Sequence, residues 1–371
     1  MELFEKEAIF PTDYAEILKR LRKIDPVKYG SSRNYINGAV TYLSPYISRG
    51  IISTKFIFSE MMDRGYEPAR IQKFVQELAW RDYWQQVWIV KGNGINQDLK
   101  HEQSPVSNTS ISEAIVAANT GVEAVDKAIK AFYKTGYMHN HLRMYIASIA
   151  CNMGQSYWKV PAQWMYYHLL DADWASNALS WQWVAGANAN KKYVANQENI
   201  NRYCFTQQKN TFLDVPYEAF ADMQIPEVLK GTISLDLKTP LPEQQSLEVS
   251  ETLPTCIYNF YNLDPLWKKE VSVNRILLLE PSHFEQYPVS KKTIDFMIQF
   301  LEENLDHIQI YVGEFNDFTT AYNLTDIYYK EHPLSNHYKG IEEPREWMFD
   351  VKGYYPSFFA FWKKCKKQLS Y

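Results

Sequence analysis

Polar side chains that could do chemistry lie among aromatic residues in the segment DADWASNALSWQWVAGANANKKY, residues 171–193. Asp171, Asp173 and Asn177 are close in sequence to Trp181 and Trp183. A solvent-facing helix usually takes its polarity from Lys and Glu and does not need indoles. Carboxylates are tolerated among apolar rings when cations or hydrogen-bond donors pair with them. The segment therefore predicts a buried polar site, whose aromatic side chains could flank a flat, conjugated ligand.

Two further segments repeat this mixture of charge, amide and apolar side chains on one helical face, with spacings of three and four residues. One face contains Glu77, Trp80, Arg81 and Trp84, and the other contains Asn140, Arg143, Met144 and Ala147. Because a buried guanidinium group is costly unless it is paired, the two arginines need carboxylate partners, for which Asp171, Asp173 and Glu77 are the candidates. The three faces could converge on one pocket, and three separate structural ion pairs would explain the spacing equally well.

No metal site is predicted. The four cysteines, Cys151, Cys204, Cys256 and Cys365, form no C-x-x-C pair, which argues against zinc, iron–sulfur and disulfide frameworks. His139 and His141 are two residues apart at the start of a predicted helix, so their side chains point to different sides. The segment TYLSPYISRG, residues 41–50, has hydroxyl groups and a proline where a helix could begin.

Composition indicates a globular protein of two or more domains, with 371 residues, 46% hydrophobic and 15% aromatic residues. The net charge of −4 is unevenly distributed: residues 1–203 contain 23 basic and 19 acidic residues, and residues 204–371 contain 16 and 24. The first half can therefore present a basic surface to DNA. The start of the chain lacks an apolar signal-peptide region, and no run approaches a membrane span of about 20 residues, so we expect a cytoplasmic protein without membrane contact.

The periodicity predicts a mainly α fold with a small C-terminal α/β domain of parallel strands. The predicted helices include IQKFVQELAWRDYWQQVWIV, HNHLRMYIASIACNM and GVEAVDKAIKAFYKTGY, the last closed by Gly136. Strand NRILLLE, helix SKKTIDFMIQFLEENL and strand IQIYVGEF form a β-α-β unit without a G-x-G-x-x-G loop, which argues against a Rossmann-type site. We predict a helical domain at residues 1–205, a polar, proline-containing connection at 206–255 and the α/β domain at 256–371.

From about residue 29 to 203, the chain resembles the FAD-binding domain of the DNA photolyase/cryptochrome family. The resemblance is carried, in order and spacing, by TYLSPYISRG, ELAWRDYW, TGYMHNHLRMYIAS and LLDADWASNALSWQW. It implies a helical domain that holds FAD. In photolyases, excited reduced flavin gives an electron to a cyclobutane pyrimidine dimer in UV-damaged DNA, the dimer splits, and the electron returns.

The resemblance also implies cofactor contacts at matching positions. It assigns Val40, Thr41 and Ser44 to the FAD phosphates, Arg143 and Asp171 to an ion pair beneath the isoalloxazine ring, and Asn177 to flavin N5. The complete set implied to bind the cofactor is Tyr29, Val40, Thr41, Leu43, Ser44, Phe74, Arg81, Asn140, Arg143, Asp171, Asp173 and Asn177. Val40 replaces a usual Thr, and Phe74 replaces a usual Trp.

On the substrate side, the resemblance implies that Glu77 and Asn140 bind the base edges of the flipped dimer. It implies aromatic walls at Trp80 and Trp183, with Met144 as the floor. Arg81 would lie between flavin and substrate, and Arg33 would contact a DNA phosphate. Trp181 and Trp158 match the first two members of the electron-transfer chain. The third position falls near Pro105, which cannot carry an electron, so Trp84 or Trp88 could substitute.

The resemblance thus favours a monomeric deoxyribodipyrimidine photolyase, a carbon–carbon lyase that acts on DNA. A cryptochrome-like blue-light photoreceptor, which binds FAD and signals through a partner without repair, is the alternative. Leu179 and Ser180, in place of the usual Gly-Gly, and the acidic C-terminal half motivate it. A third possibility is a helical scaffold without flavin. The family's N-terminal antenna domain is not expected before the matched region, and the C-terminal domain could be its relocated counterpart or a separate acquisition; no antenna pigment is predicted in it.

Overall fold

The computed structural model describes residues 10–324 and 326–369. Its α-helices are Tyr14–Arg22, Pro26–Ser32, Ser44–Ser48, Thr54–Asp63, Gln72–Lys91, Glu113–Val116, Glu123–Thr135, Asn140–Ser148, Lys159–His168, Trp174–Ala185, Gln197–Cys204, Pro281–Gln286, Lys291–Asn304, Phe315–Ala321 and Phe358–Cys365. A π-helical turn, Ile149–Met153, follows the eighth helix. The strands are β1 Ile111–Ser112, β2 Thr232–Ile233, β3 Thr255–Tyr258, β4 Asn274–Leu279, β5 Ile308–Val312, β6 Ile327–Lys330 and β7 Ile341–Glu343.

Local sequence accounts for where the helices of the site begin and end. The helix Glu123–Thr135 ends at Gly136, which adopts a left-handed conformation with φ of 71° and donates its N–H to Phe132 O. The helix Trp174–Ala185 begins after Asp173, whose carboxylate accepts from Ser176 N, and ends at Gly186 with φ of 87°. The predicted closure at Gly136 is confirmed.

The five-stranded sheet is wholly parallel, with strand order β5-β4-β3-β6-β7. The predicted β-α-β unit is confirmed, since β4 pairs with β5 and the helix Lys291–Asn304 connects them. From β3 the chain builds outward in one direction through β4 and β5 and then in the other through β6 and β7. One apolar cluster of the sheet contains Ile257, Ile276, Leu278, Phe315, Phe318, Ile327, Tyr329 and Tyr338. The predicted fold class, mainly helical with a small parallel α/β domain, is confirmed.

The described chain forms two compact units built from discontinuous segments. The first unit contains residues 31–40 and 91–237, and the second contains residues 10–30, 41–90 and 238–369. In the first unit, the polar connection includes β2, which pairs antiparallel with β1. The predicted division at residues 205 and 255 stays a prediction.

Within the second unit, residues 345–365 cover the later half of the helix Gln72–Lys91. Three glutamine and tyrosine side chains of that helix bind this segment. Tyr83 Oη donates to Tyr355 O at 3.0 Å, Gly353 N donates to Gln86 Oε1 at 2.8 Å, and Arg345 Nη1 donates to Gln85 Oε1 at 2.7 Å. This helix also carries Glu77, Trp80 and Arg81, so the C-terminal segment helps to fix its position.

Candidate functional site

The predicted site residues are distributed over both compact units, and each set is described within its own unit. The first unit holds Arg33, Val40, Asn140, Arg143, Met144, Trp158, Asp171, Asp173, Asn177, Trp181 and Trp183. The second unit holds Tyr29, Thr41, Leu43, Ser44, Phe74, Glu77, Trp80 and Arg81.

Arg143 and Asp171 form an ion pair in the first unit. One guanidinium nitrogen of Arg143, Nη2, lies 3.0 Å from both carboxylate oxygens of Asp171. Nε of the same guanidinium group donates to Met138 O at 2.9 Å. Asp171 is buried and Arg143 is partly exposed, so the pair combines a desolvated carboxylate with a cation that keeps one accessible side. The expectation that this arginine finds its partner among the predicted acids is confirmed.

Asp173 and Asn177 are both buried, and the backbone fixes both side chains. Asp173 Oδ1 accepts from Ser176 N at 2.7 Å and so caps its helix. Asn177 Nδ2 donates to Ala162 O at 2.8 Å, which ties the helix Trp174–Ala185 to the helix Lys159–His168. The cap gives Asp173 a structural task, so its proximity to aromatic residues does not by itself require a ligand.

The two predicted electron-transfer indoles are buried in the first unit, in different polar surroundings. Trp158 Nε1 donates to Asp98 Oδ1 at 2.8 Å. Trp181 Nε1 is buried and has no hydrogen-bond partner among residues 10–324 and 326–369. The Trp158 ring centre lies 6.5 Å from that of Trp174 and 5.8 Å from that of Tyr157. The sequence analysis did not consider these two neighbours, because it looked for a third member near Pro105.

The two alternatives predicted for the third electron-transfer position, Trp84 and Trp88, belong to the second unit. Trp84 contacts Trp80, with 5.1 Å between ring centres. The buried Trp88 meets the His332 ring edge-on at 5.0 Å. Both indoles therefore have packing roles within that unit.

The substrate-side residues of the first unit are accessible to solvent. Asn140 is exposed, Met144 is half-buried, and Trp183 is 36% exposed. The Trp183 ring lies 5.9 Å from the ring of Tyr193, at an interplanar angle of 30°. An exposed indole can stack on a base, and an exposed amide can recognise a base edge. Arg33 and Val40 are both half-buried.

A cleft of about 320 Å³ in the first unit is lined in part by residues that follow Trp183 in the chain. Its lining includes His101, Glu102, Gly186, Lys191 and Lys192. Burial lowers the pKa of Lys192 below its ordinary value. The sequence analysis did not identify this cleft, because His101 and the lysines are far apart along the chain. Two lysines beside a recess can bind an anion such as a phosphate.

Trp80 stacks on the C-terminal segment of the second unit. Its indole lies 3.8 Å from the ring of Phe358, at an interplanar angle of 11°. The predicted role of Trp80 as a dimer wall stays a prediction, but one face of the indole is already occupied. Only the opposite face can stack on a base. No local sequence pattern predicts this contact, because Phe358 lies far from Trp80 along the chain.

The other predicted residues of the second unit belong to two groups. In one, Tyr29 meets the buried Phe74 edge-on, with 5.3 Å between ring centres. In the other, Arg81 Nη2 donates to Ser48 Oγ at 2.6 Å, where the helix Ser44–Ser48 ends. That helix has proline in its first turn, as the sequence predicts.

Thr41, Leu43 and Glu77 are further predicted residues of the second unit. The Thr41 hydroxyl accepts from Leu43 N at 3.3 Å. Because the Leu43 side chain is buried, a cofactor would reach this residue through its backbone. Glu77 is half-buried on the helix Gln72–Lys91.

The chemistry of the first unit's side chains fits a flavin. A half-exposed guanidinium group, held by Asp171, can donate to a ring carbonyl, and Asn177 provides a fixed amide. Trp181 adds a buried N–H without a protein acceptor among the described residues. Polar groups of this kind are normally satisfied by a partner, and a conjugated heterocycle with several acceptors can satisfy such donors.

Comparison with known proteins agrees with this chemistry. Residues 74–245 match the family model for the FAD binding domain of DNA photolyase. A deoxyribodipyrimidine photo-lyase from Agrobacterium fabrum is 26% identical over 250 residues, which are 60% of this chain and 51% of that protein. A cryptochrome DASH, chloroplastic/mitochondrial, from Ostreococcus tauri is 28% identical over 242 residues, which are 60% of this chain and 44% of that protein. The matches span about a third to a half of the length of the curated relatives.

Solved structures resemble the chain more weakly. The crystal structure of a Synechocystis cryptochrome has a TM-score of 0.47 and 24% identity, and the match covers 53% of this chain and 44% of that one. The family-model match, which covers just under half of the chain, agrees with the predicted family and its FAD cofactor. Within the described part of the chain, no helix is long and apolar enough to cross a membrane.

Proposed function

Because the chain belongs, through its FAD binding domain, to the photolyase and cryptochrome family, we propose that it repairs cyclobutane pyrimidine dimers in DNA with light. One observation carries this proposal: two features occur together in the first unit. Asn140, Met144 and Trp183 are accessible to a base, and the ion pair Arg143–Asp171 belongs to the same unit. When bound, reduced FAD supplies the electron that splits the dimer. The side chains orient the cofactor and the substrate.

We assign the cofactor contacts to side chains whose positions the backbone fixes. Asp171 orients Arg143, so its guanidinium group can donate to an electron-rich ring edge. One N–H of the Asn177 amide donates to Ala162 O, and we assign its carbonyl oxygen to face flavin N5. Such fixed donors and acceptors favour one redox state over another without having to reorganise.

On the substrate side, we propose that Trp183 stacks on the flipped dimer and that Asn140 reads its base edges. A damaged step stacks poorly and costs less to extrude, which is a general source of selectivity in base-flipping enzymes, photolyases among them. The substrate-side roles of Glu77 and Trp80, which belong to the second unit, stay predictions. The lysine-lined cleft beside Gly186 is positioned after Trp183 in the chain and supplies positive charge for the DNA backbone.

We propose that electrons reach the flavin from Tyr157 through Trp158 and then Trp181. Tyr157 is half-buried, whereas Trp174, the other ring beside Trp158, is fully buried. Asp98 already accepts from Trp158 Nε1. Desolvation, together with the negative charge of Asp98, raises the pKa of Tyr157 to about 12. A phenol beside a carboxylate can lose its proton to that carboxylate when it gives up an electron.

A cryptochrome-like photoreceptor is the second candidate, and the contact between Trp80 and Phe358 favours it. This contact takes up one face of a ring that the repair proposal needs. A segment packed on the same helix is also well placed to report a change at the flavin. A photoreceptor of this kind would require a signalling partner. A monomeric state and a cytoplasmic location are predicted for both candidate functions.

A light-repair assay separates the two functions. The flavin-loaded protein, chemically reduced, is mixed with an oligonucleotide that contains one thymine dimer and is irradiated with blue light. Repair lost in Trp183→Ala and kept in Phe205→Ala, which removes another exposed ring of the first unit, is the result we expect. An undiminished dimer with bound FAD would refute the repair proposal. Light-dependent hydrogen-exchange protection at residues 345–369 would then support the photoreceptor.

A further inference from the structure

The end of the chain has a charge opposite to that of the region before it. Residues 351–371 contain five lysines, Lys352, Lys363, Lys364, Lys366 and Lys367, and no acidic residue. Residues 204–350 contain 11 basic and 24 acidic residues. This basic run stands out in an otherwise acidic half of the chain. Local positive charge of this density is typical of a surface that meets a polyanion.

The helix Phe358–Cys365 divides into a buried face and an exposed face. Ser357 Oγ caps it by accepting from Ala360 N at 3.2 Å. Phe358, Phe361, Trp362 and Cys365 are buried. Phe359 is 69% exposed, and Lys363 and Lys364 are exposed on the following turn. Because Lys363 follows Phe359 by four residues, the exposed ring and this ammonium group share one side of the helix, and Lys367 is exposed in the 3-10 turn Lys366–Gln368 that follows.

The exposed ring is connected to a predicted substrate wall. Phe359 lies 5.6 Å from Phe358 between ring centres, and Phe358 stacks on Trp80 at 3.8 Å. All three rings belong to the second unit, so their relation does not depend on how the units meet. The basic, aromatic side of the C-terminal helix therefore begins two ring contacts away from Trp80.

We propose that Phe359 and the lysines Lys363, Lys364 and Lys367 form a DNA contact, called here the C-terminal arm. Phe359 stacks on a base next to the lesion, and the lysines neutralise backbone phosphates. The two kinds of side chain favour nucleic acid over an acidic protein, because a polynucleotide offers flat rings and a regular row of anions together. Stacking on a neighbouring base would also fill space left by an extruded dimer. This inference rests on the proposed repair function and names a contact outside the family motifs.

Salt dependence of DNA binding tests the lysines. We compare the full-length, FAD-loaded protein with Lys363→Gln/Lys364→Gln, using a fluorescent duplex with one thymine dimer at several salt concentrations. Each phosphate contact contributes about 0.9 to the slope of log K against log salt, so the double variant should lose about 1.8. The matched control, Lys230→Gln/Lys291→Gln, removes two exposed lysines elsewhere and should keep the wild-type slope. An unchanged slope in the first variant would overturn the proposal.

Phe359→Ala tests the stacking separately. Base–aromatic stacking of about 1–3 kcal/mol corresponds to a loss of roughly 5-fold to 150-fold in affinity, with the salt slope unchanged. Phe205→Ala, at a 52% exposed ring of the first unit, is the control and should bind normally. Wild-type affinity in Phe359→Ala would overturn its role.

Further measurements keep the possible failures distinguishable. Wild-type protein that repairs dimers, together with arm variants that bind DNA normally, would refute the arm alone. Wild-type protein that binds no DNA would refute the repair function and the arm together. If the arm variants keep DNA binding but no longer bind polyglutamate, the arm binds an acidic protein and not DNA.

Discussion

Asp82 offers a sharp test of how the C-terminal segment is held on the helix that carries Trp80. It is buried on the helix Gln72–Lys91, and its two carboxylate oxygens accept from Thr54 Oγ1 at 2.9 and 3.1 Å. Met348 N also donates to it, at 3.1 Å. Burial is the largest influence and raises its pKa from 3.8 to about 6, against the opposing effects of these hydrogen bonds. The carboxyl is therefore easier to bury when it is protonated.

The sign and size of the effect follow from this shift in pKa. Between pH 3.8 and 6, the folded protein holds the Asp82 proton and the unfolded chain releases it. The free energy of unfolding therefore falls as the pH rises through this window and is constant above it. A shift of about two pKa units corresponds to roughly 3 kcal/mol at 1.36 kcal/mol per unit. Between about pH 4.5 and 7, roughly 2 kcal/mol of this should be measurable.

Urea unfolding of wild type and Asp82→Asn across this pH range measures the effect. Asparagine keeps the shape and one acceptor oxygen but does not titrate. The difference in unfolding free energy between the two proteins should shift by about 2 kcal/mol in favour of wild type as the pH falls from 7 to 4.5. Subtracting one unfolding free energy from the other cancels the contribution of other titrating carboxyls, such as Asp264, whose pKa burial also raises. Parallel pH profiles for the two proteins would refute the reasoning.

Three further predictions concern the proposed flavin site. Asp171→Asn should weaken FAD binding by roughly 10-fold to 150-fold, since the guanidinium group of Arg143 loses a charge-assisted bond of about 1.5–3 kcal/mol; equal affinities by flavin titration would contradict this. Asn177→Asp should change which flavin redox state accumulates in light, because a carboxylate can exchange a proton where an amide cannot, and identical photoreduction spectra would disprove it. Trp158→Phe should abolish most flavin photoreduction and Tyr157→Phe should shorten the life of the charge-separated state, both measured by flash absorption spectroscopy; decay at the wild-type rate in Tyr157→Phe would exclude that tyrosine.

Much of the first unit could be predicted from sequence, because its signals are local. Helical spacing and the glycine at residue 136 define one helix and its end. Pairing of Arg143 with one of three acids followed from the cost of an unpaired buried charge. The choice of Asp171 among those acids could not be made without the fold, since Asp173 turns out to cap its own helix.

Contacts between distant segments were beyond sequence reasoning. The stacking of Phe358 on Trp80 joins two helices with no shared pattern, and the lysine cleft joins His101 to residues after Gly186. Tyr157 could not be predicted for another reason. A chain of tryptophans does not indicate a tyrosine, and ring proximity and a nearby carboxylate are visible only in three dimensions.

The position of the helix Gln72–Lys91 depends on the C-terminal segment, and the sequence of the helix does not indicate this. Glu77, Trp80 and Arg81 stand on a helix whose later half is bound by Arg345, Met348 and Gly353 and by the ring of Phe358. Removing the segment would expose the buried carboxyl of Asp82 and one indole face together. The substrate-side geometry of this unit is therefore a joint property of the helix and the chain's end. Substitutions near residue 358 should affect DNA binding even where they touch neither flavin nor dimer.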